Sequence, residues 1–250
     1  MRYELDGVEI DHNRNVGITS TIKNYISLTT EKSKILKHAS WNPNGYPLID
    51  GNFNFCVPLN TLLGFCEDYK RIVINARHEL VLIRSRNDNN CLVGRVGTNP
   101  KIELLKIQWR MPHVSLSEVN KLSLLRTLES GRYLSMCSVR GIYFYPYDDM
   151  NLYFDRNRYA ILYNMYARFR KAYYGFDNTY LDIDNFLKAG PFVVIDCSRQ
   201  NDSVKSATVD VQIEFDYKEN IPANTTAYCL IIHDRMVEYN PLNNIVRRLV

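Results

Sequence analysis

The stretch "PFVVIDCSRQND", residues 191–202, decides between two kinds of fold. Read one way, an apolar run launches Cys197 into a loop with Arg199 nearby, as in a cysteine phosphatase on a parallel α/β sheet. Read the other way, it is an apolar strand of a β-sandwich that ends at a buried thiol. A phosphate-holding loop needs its arginine six residues after the cysteine and glycines between them. Here position 203 is Ser, Arg199 is two residues on, and no glycine intervenes. Nucleophilic catalysis also needs a thiolate presented to solvent beside a base or a cation. The strand reading is therefore preferred, with Cys197 as a small buried hydrophobe.

Working outward, "SATVDVQIEFD" at 206–216 places Val209, Val211, Ile213 and Phe215 in alternation with Asp210, Gln212, Glu214 and Asp216, the pattern of a strand with one wet face. "AYCLIIHDRMVEY" at 227–239 is a further strand beyond a polar loop, and "GIYFYPY" at 141–147 precedes it in the chain. At the other end, Tyr3, Leu5, Val8 and Ile10 flank Asp6-Gly7, a tight hairpin or bulge. "RIVINARHELVLIRS" at 71–85 and "KIELLKIQWRM" at 101–111 alternate as strands, separated by an "NDNN" turn.

Helices are fewer. A short one is expected over 20–28 with Ile22, Tyr25 and Ile26 on one face, then a polar loop over 29–51, and an apolar helical turn in "LNTLLGF". Ser115 and Glu118 form a capping box for a helix whose face carries Leu116, Val119, Leu122, Leu125 and Leu128, closed by Gly131. A second runs from Asp155 as N-cap to Gly175, with Tyr159, Leu162, Tyr163, Tyr166, Phe169 and Tyr173 on one stripe. Its cations Arg156, Arg158, Arg168, Arg170 and Lys171 lie mostly off that stripe, so packing is preferred to nucleic-acid contact through those five residues.

The composition sets further bounds. With 250 residues, 46% hydrophobic and 23% charged, the chain can bury a sizeable core, and a net charge of +4 does not mark a nucleic-acid binder. Cys56, Cys66, Cys91, Cys137, Cys197 and Cys229 are dispersed with no C-x-x-C pair, which suggests reduced, buried thiols. The five histidines show neither H-x-H nor H-E-x-x-H, and adjacent His233 and Asp234 point to opposite faces of a strand. Asp148-Asp149 reads as turn and cap. No metal or cofactor is expected, and no nucleotide or hydrolase fingerprint occurs. No window is apolar enough for a membrane span and "MRYELDGVEI" has no signal h-region, so the expected place is a virion or the cell interior. That argues against glycosylation at the Asn201 and Asn224 sequons.

The two halves share an order of strand, helix, loop and apolar strand with a cysteine, and Cys56 and Cys197 occupy corresponding places. A duplicated β unit is inferred. Long stretches of the chain, "VPLNTLLGFCEDYKRIVINARHELVLIRSRNDNN", "KIELLKIQWRMPHVSLSEVNKLSLLRTLESGRYLSM", "YPYDDMNLYFDRNRYAILYNMYARFRKAYYG" and "PFVVIDCSRQNDSVKSATVDVQIEFDYKENIPANTTAYCLIIHDR", resemble the double-jelly-roll major capsid protein-like family of Polinton/Maverick-type and adintovirus-like elements. The resemblance implies a mainly β fold of two jelly rolls with interspersed helices, a homotrimeric capsomer in an icosahedral lattice, and no catalytic residue. It divides the chain into a partial first roll over 1–114, a connecting helix over 115–131 and a partial second roll over 132–250. Two complete rolls take about sixteen strands, against ~10 legible here at the usual strand length. "GRYLSM" also passes through "CSVRG" directly into "IYFYPYDD". The expectation is an incomplete double roll, a truncated or endogenised copy, with sheet edges and apolar faces left uncovered. The alternative is a β-sandwich that binds a small ligand or glycan without catalysis.

Overall fold

The computed structural model describes residues 1–42, 51–88, 91, 101–129, 134–138, 152–189, 191–195, 220–221, 223–232 and 235–249. The chain forms two compact units interleaved in sequence. One comprises Met1–Asn13, Tyr69–Met136 and Met236–Val250, and the other Arg14–Asp68 and Cys137–Arg235.

The first unit begins with the expected hairpin. Strands β1 (Arg2–Leu5) and β2 (Val8–His12) pair antiparallel across Asp6 and Gly7, whose φ angles of 49° and 77° are those of a left-handed two-residue turn. A register shift between Tyr3 and Glu4 adds a bulge. Strand β3 (His78–Val81) joins the other edge of β1. Tyr3, Leu5 and Ile10 are buried, while the register sets Glu79, Glu4 and Glu9 side by side. Three like charges in a row repel, and each has its own cation: Arg77 on Glu79 at 2.6 Å, Arg2 on Glu4 at 2.5 Å, and Arg248 near Glu9 at 3.7 Å.

A second three-stranded sheet has the order β4-β5-β6. It is built from β4 (Leu134–Ser138), β5 (Arg235–Asn240) and β6 (Ile245–Leu249), the last two antiparallel with Tyr239 opposite Val246. The turn between them is held by Asn240, whose Oδ1 accepts from the Leu242 and Asn243 amides. Strand β6 was not expected from the sequence.

The second unit is helical in its described residues: α1 (Val16–Ser27), α2 (Thr30–Ile35), α3 (Gly64–Asp68), α5 (Ala160–Tyr174) and α6 (Ile183–Lys188). Helix α1 is longer than expected, and α2 stands where a loop was expected. Thr29 caps it by accepting from the Lys32 amide. Ile26, Leu162, Tyr166, Leu181 and Phe186 form the core, with Ile22, Tyr25, Tyr163 and Phe192 packed around them. The tyrosine stripe of α5 is thus confirmed as a packing face, and Gly175 ends the helix at φ 71°. The helix starts at Ala160, five residues after Asp155, which lies in a preceding 3-10 turn (Phe154–Arg156).

Strand content is smaller than a mainly β reading predicts: among the described residues more lie in helices than in strands. Residues 53–58 around Cys56 form no strand, and the Cys56 amide bonds to the His38 carbonyl at 3.0 Å in place of a ladder partner. Residues 101–111 likewise form no strand. One residue there is tied as a strand would be: Ile102 gives its amide to Asp88 Oδ2 at 2.9 Å and its carbonyl accepts from Arg84 Nη2 at 2.6 Å. An Arg84–Asp88 pair at 2.9 Å thus takes the place of a neighbouring strand. That amide, together with Arg84, holds the Asp88 carboxyl below its ordinary range. The apolar run that opens the stretch 191–202 forms no strand over its described residues 191–195, and of the strand expected at 227–239 only Arg235–Asn240 forms; those expected at 141–147 and 206–216 lie outside the described residues.

Candidate functional site

The five cations named for nucleic-acid contact do not share one role. Arg156, Arg158, Arg168 and Lys171 are exposed. Arg156 lies 5.0 Å from the Tyr153 ring, and Lys171 is paired with Asp177 at 2.7 Å, which raises its pKa. Arg170 is 0% exposed. Its Nη1 donates to the Ile26 carbonyl at 2.6 Å and the Tyr25 carbonyl at 3.3 Å, and its Nε to the Asn178 carbonyl at 3.2 Å. These first two carbonyls belong to the last turn of α1, which lacks intrahelical donors, so Arg170 closes α1 from inside the core. Its guanidinium also lies 5.5 Å and 5.7 Å from the Phe176 and Tyr166 rings. The assignment of Arg170 to an exposed basic set is corrected accordingly. It follows Tyr166 by four residues and so shares its face.

Another cation, Lys23, is buried with a different solution. Its Nζ donates to the Asn60 carbonyl at 2.7 Å and pairs with Glu67 at 3.0 Å, tying α1 to the 59–61 turn and to α3.

The thiols also differ from expectation. Cys56, Cys91 and Cys229 are free and exposed, and Cys66 is half-buried. Apolar runs predict strands around Cys56 and Cys229, but the described residues 53–58 and 227–232 form none. Cys197, Arg199, Asp148, Asp149, His233 and Asp234 lie outside the described residues. Among the described residues no group of three His, Cys, Asp or Glu side chains could hold a metal ion, and no helix is long and apolar enough to cross a membrane.

A ligand-binding sandwich would offer ring faces to a sugar. The half-buried rings of Tyr25, Trp41 and Tyr180 instead pack on one another, with centroids 5.3 to 6.2 Å apart and Trp41 Nε1 donating to the Tyr180 hydroxyl at 3.2 Å. Tyr166, Phe186 and Phe192 do the same at 5.1 to 5.7 Å.

What the first unit does present is apolar side chains without cover. Leu104, Leu105, Ile107, Trp109 and Val114 are exposed, Leu105 by 83%. In helix α4 (Glu118–Glu129) Val119, Leu122 and Leu125 are 76%, 55% and 40% exposed, whereas Leu128 is buried. Of the apolar stripe seen in the sequence, Leu128 at its carboxyl end is buried and Leu116, which precedes the helix, is half-buried. Ser117, not Ser115, caps the helix: its Oγ accepts from the Asn120 amide at 3.4 Å. Contiguous exposed apolar groups of this kind are a common feature of interaction surfaces.

The class of protein follows from comparison with known families. A family model described as a double jelly roll-like domain matches residues 1–142 and 138–237, and the chain belongs to that family. No curated protein and no solved structure matches it.

Proposed function

We propose that the chain is a structural, non-enzymatic, capsid-type protein that self-associates into trimeric capsomers of an icosahedral shell, of the kind carried by Polinton and adintovirus-like elements. Membership of the double jelly roll-like family carries the proposal, since that fold is typical of capsid proteins. The uncovered apolar residues of the first unit agree with it, because a shell protein leaves surface for its neighbours to bury. The division into a first roll over 1–114, a connecting helix over 115–131 and a second roll over 132–250 is part of the same reading, as is a place in the virion or the cell interior. The partner is the chain itself, with no role for membrane or nucleic acid.

Mass photometry and analytical ultracentrifugation of the purified chain across a concentration series test it. Trimers or larger closed assemblies are expected. A strictly monodisperse monomer at the highest soluble concentration overturns the proposal.

A further inference from the structure

We propose that helix α4 is a two-fold contact by which one copy of this chain pairs antiparallel with the α4 of a second copy, a contact separate from any three-fold association. At 100° per residue, Val119, Leu122 and Leu125 form one continuous stripe, and all three are exposed. Glu118 and Arg126 lie on the same face, about 40° to either side of Leu122 at that spacing, and both are exposed. They are eight residues apart, about 12 Å along the axis at 1.5 Å per residue, too far to pair within one helix. Neither makes an ion pair with another described residue.

The spacing is self-complementary. A two-fold axis through Leu122 brings Leu122 against its own copy and Val119 against Leu125 of the other copy. The same operation brings Glu118 level with Arg126 of the other copy, and Arg126 level with its Glu118. An isologous interface requires this reciprocity, each patch being its own complement. A parallel pairing would instead face Glu118 with Glu118 and Arg126 with Arg126, setting like charges together. The charges therefore choose the antiparallel pairing, and the stripe supplies the surface to bury. Glu129 comes level with Ser115 and introduces no charge clash.

Sedimentation equilibrium on the full chain reads the contact. Leu122→Asp should weaken two-fold association at least about tenfold, the scale of a central interface residue. Glu118→Arg alone places two arginines together twice over and should weaken it by a similar factor, while Glu118→Arg combined with Arg126→Glu should restore it. Leu122→Cys adds a covalent readout, since the two-fold axis sets residue 122 against itself. Under mild oxidation it should give disulfide-linked dimers well above the wild-type background from the native thiols, and Asn120→Cys on the opposite face should not. If the double charge swap fails to restore pairing, or Leu122→Cys gives no more dimer than wild type, the proposal is overturned. The outcome is distinguishable from failure of the capsid reading: loss of this contact stops assembly at the trimer if three-fold association exists and at the monomer if it does not.

Discussion

Arg170 shows how a residue's chemistry can hide its place. Helical periodicity sets it on the buried stripe of α5, yet its charge argues for the surface, and the charge argument fails because α1 ends against it with carbonyls in need of donors. Such a requirement is tertiary and leaves no mark in the local sequence. Arg170→Met keeps most of the stem's volume while removing the donors to Ile26 and Asn178, whereas Tyr25 keeps the Tyr166 hydroxyl at 2.9 Å. We expect a loss of about 2 to 3 kcal/mol, as for buried carbonyls deprived of a charged donor. Arg170→Lys should recover little of it, because one ammonium cannot reach both carbonyls. Arg168→Met, on the exposed side, should stay within about 0.5 kcal/mol. Urea unfolding curves check all three.

Tyr239 tests burial in the other unit. It is fully buried and donates its hydroxyl hydrogen bond to the Ile74 carbonyl. Burial, assisted by the Asp6 carboxylate, pushes its pKa up to about 12 from 10.0. The folded state thus keeps the proton where the unfolded state has lost it. The stability this contributes is present below pH 10.0 and is lost as the pH rises toward about 12. Absorbance at 295 nm should show a late tyrosinate step that Tyr239→Phe removes. His78 runs the opposite way: burial, with His113 adding to it and Asp6 opposing, lowers its pKa from 6.5. Its nitrogen lies 2.7 Å from the Tyr3 hydroxyl. Folding favours the neutral ring, so stability should fall as the pH drops below 6.5. The melting temperature of His78→Gln should depend less on pH over that range.

At the scale of elements, the sequence is most legible where local chemistry suffices. The Asp6-Gly7 turn fixes the β1–β2 hairpin by itself, because both residues take positive φ. Gly7→Ala meets no neighbour within 4 Å, so its cost is the backbone conformation alone, about 1 to 2 kcal/mol. Faster amide exchange confined to β1 and β2 would show it. The body of helix α5 and its glycine stop are equally readable from periodicity and Gly175, whereas its start at Ala160 lies five residues beyond the expected cap Asp155. The strands expected but not formed have a common cause. Alternation at 101–111 and an apolar run at 53–58 predict strands, but a strand exists only with a partner, and pairing is nonlocal. Helix α2 was missed because "TEKSKI" has no apolar face, and a single threonine cap is a weak signal inside a polar stretch. Strand β6 was missed because Arg247 and Arg248 interrupt the apolar pattern, although Arg247 lies opposite Glu238 across the pair.

For the molecule as a whole, the proposed self-association makes the uncovered chain of the first unit the feature that should differ between a free and an assembled subunit. Lys101, Lys106 and Arg110 are exposed in a segment that has no helix or strand of its own. Among the described residues it is tied by the hydrogen bonds of Ile102 with Arg84 and Asp88 and the edge-on contact of Trp109 with Tyr3 at 6.4 Å. Little ladder structure has to break before a protease can seat this backbone, and local opening governs cleavage. Trypsin at low protein concentration should therefore cut first after one of these three residues, as mass spectrometry of the initial fragments would show. Neighbours that cover Leu104, Leu105 and Ile107 in an assembly also cover Lys106 between them and hinder the flanking Lys101 and Arg110, so the initial rate per chain should fall at least about tenfold, in line with burial of the segment in an interface. A first cut elsewhere would place the weakest structure outside 101–111. A cleavage rate independent of concentration, in a chain shown to associate, would mean that this apolar segment is not what its neighbours bury.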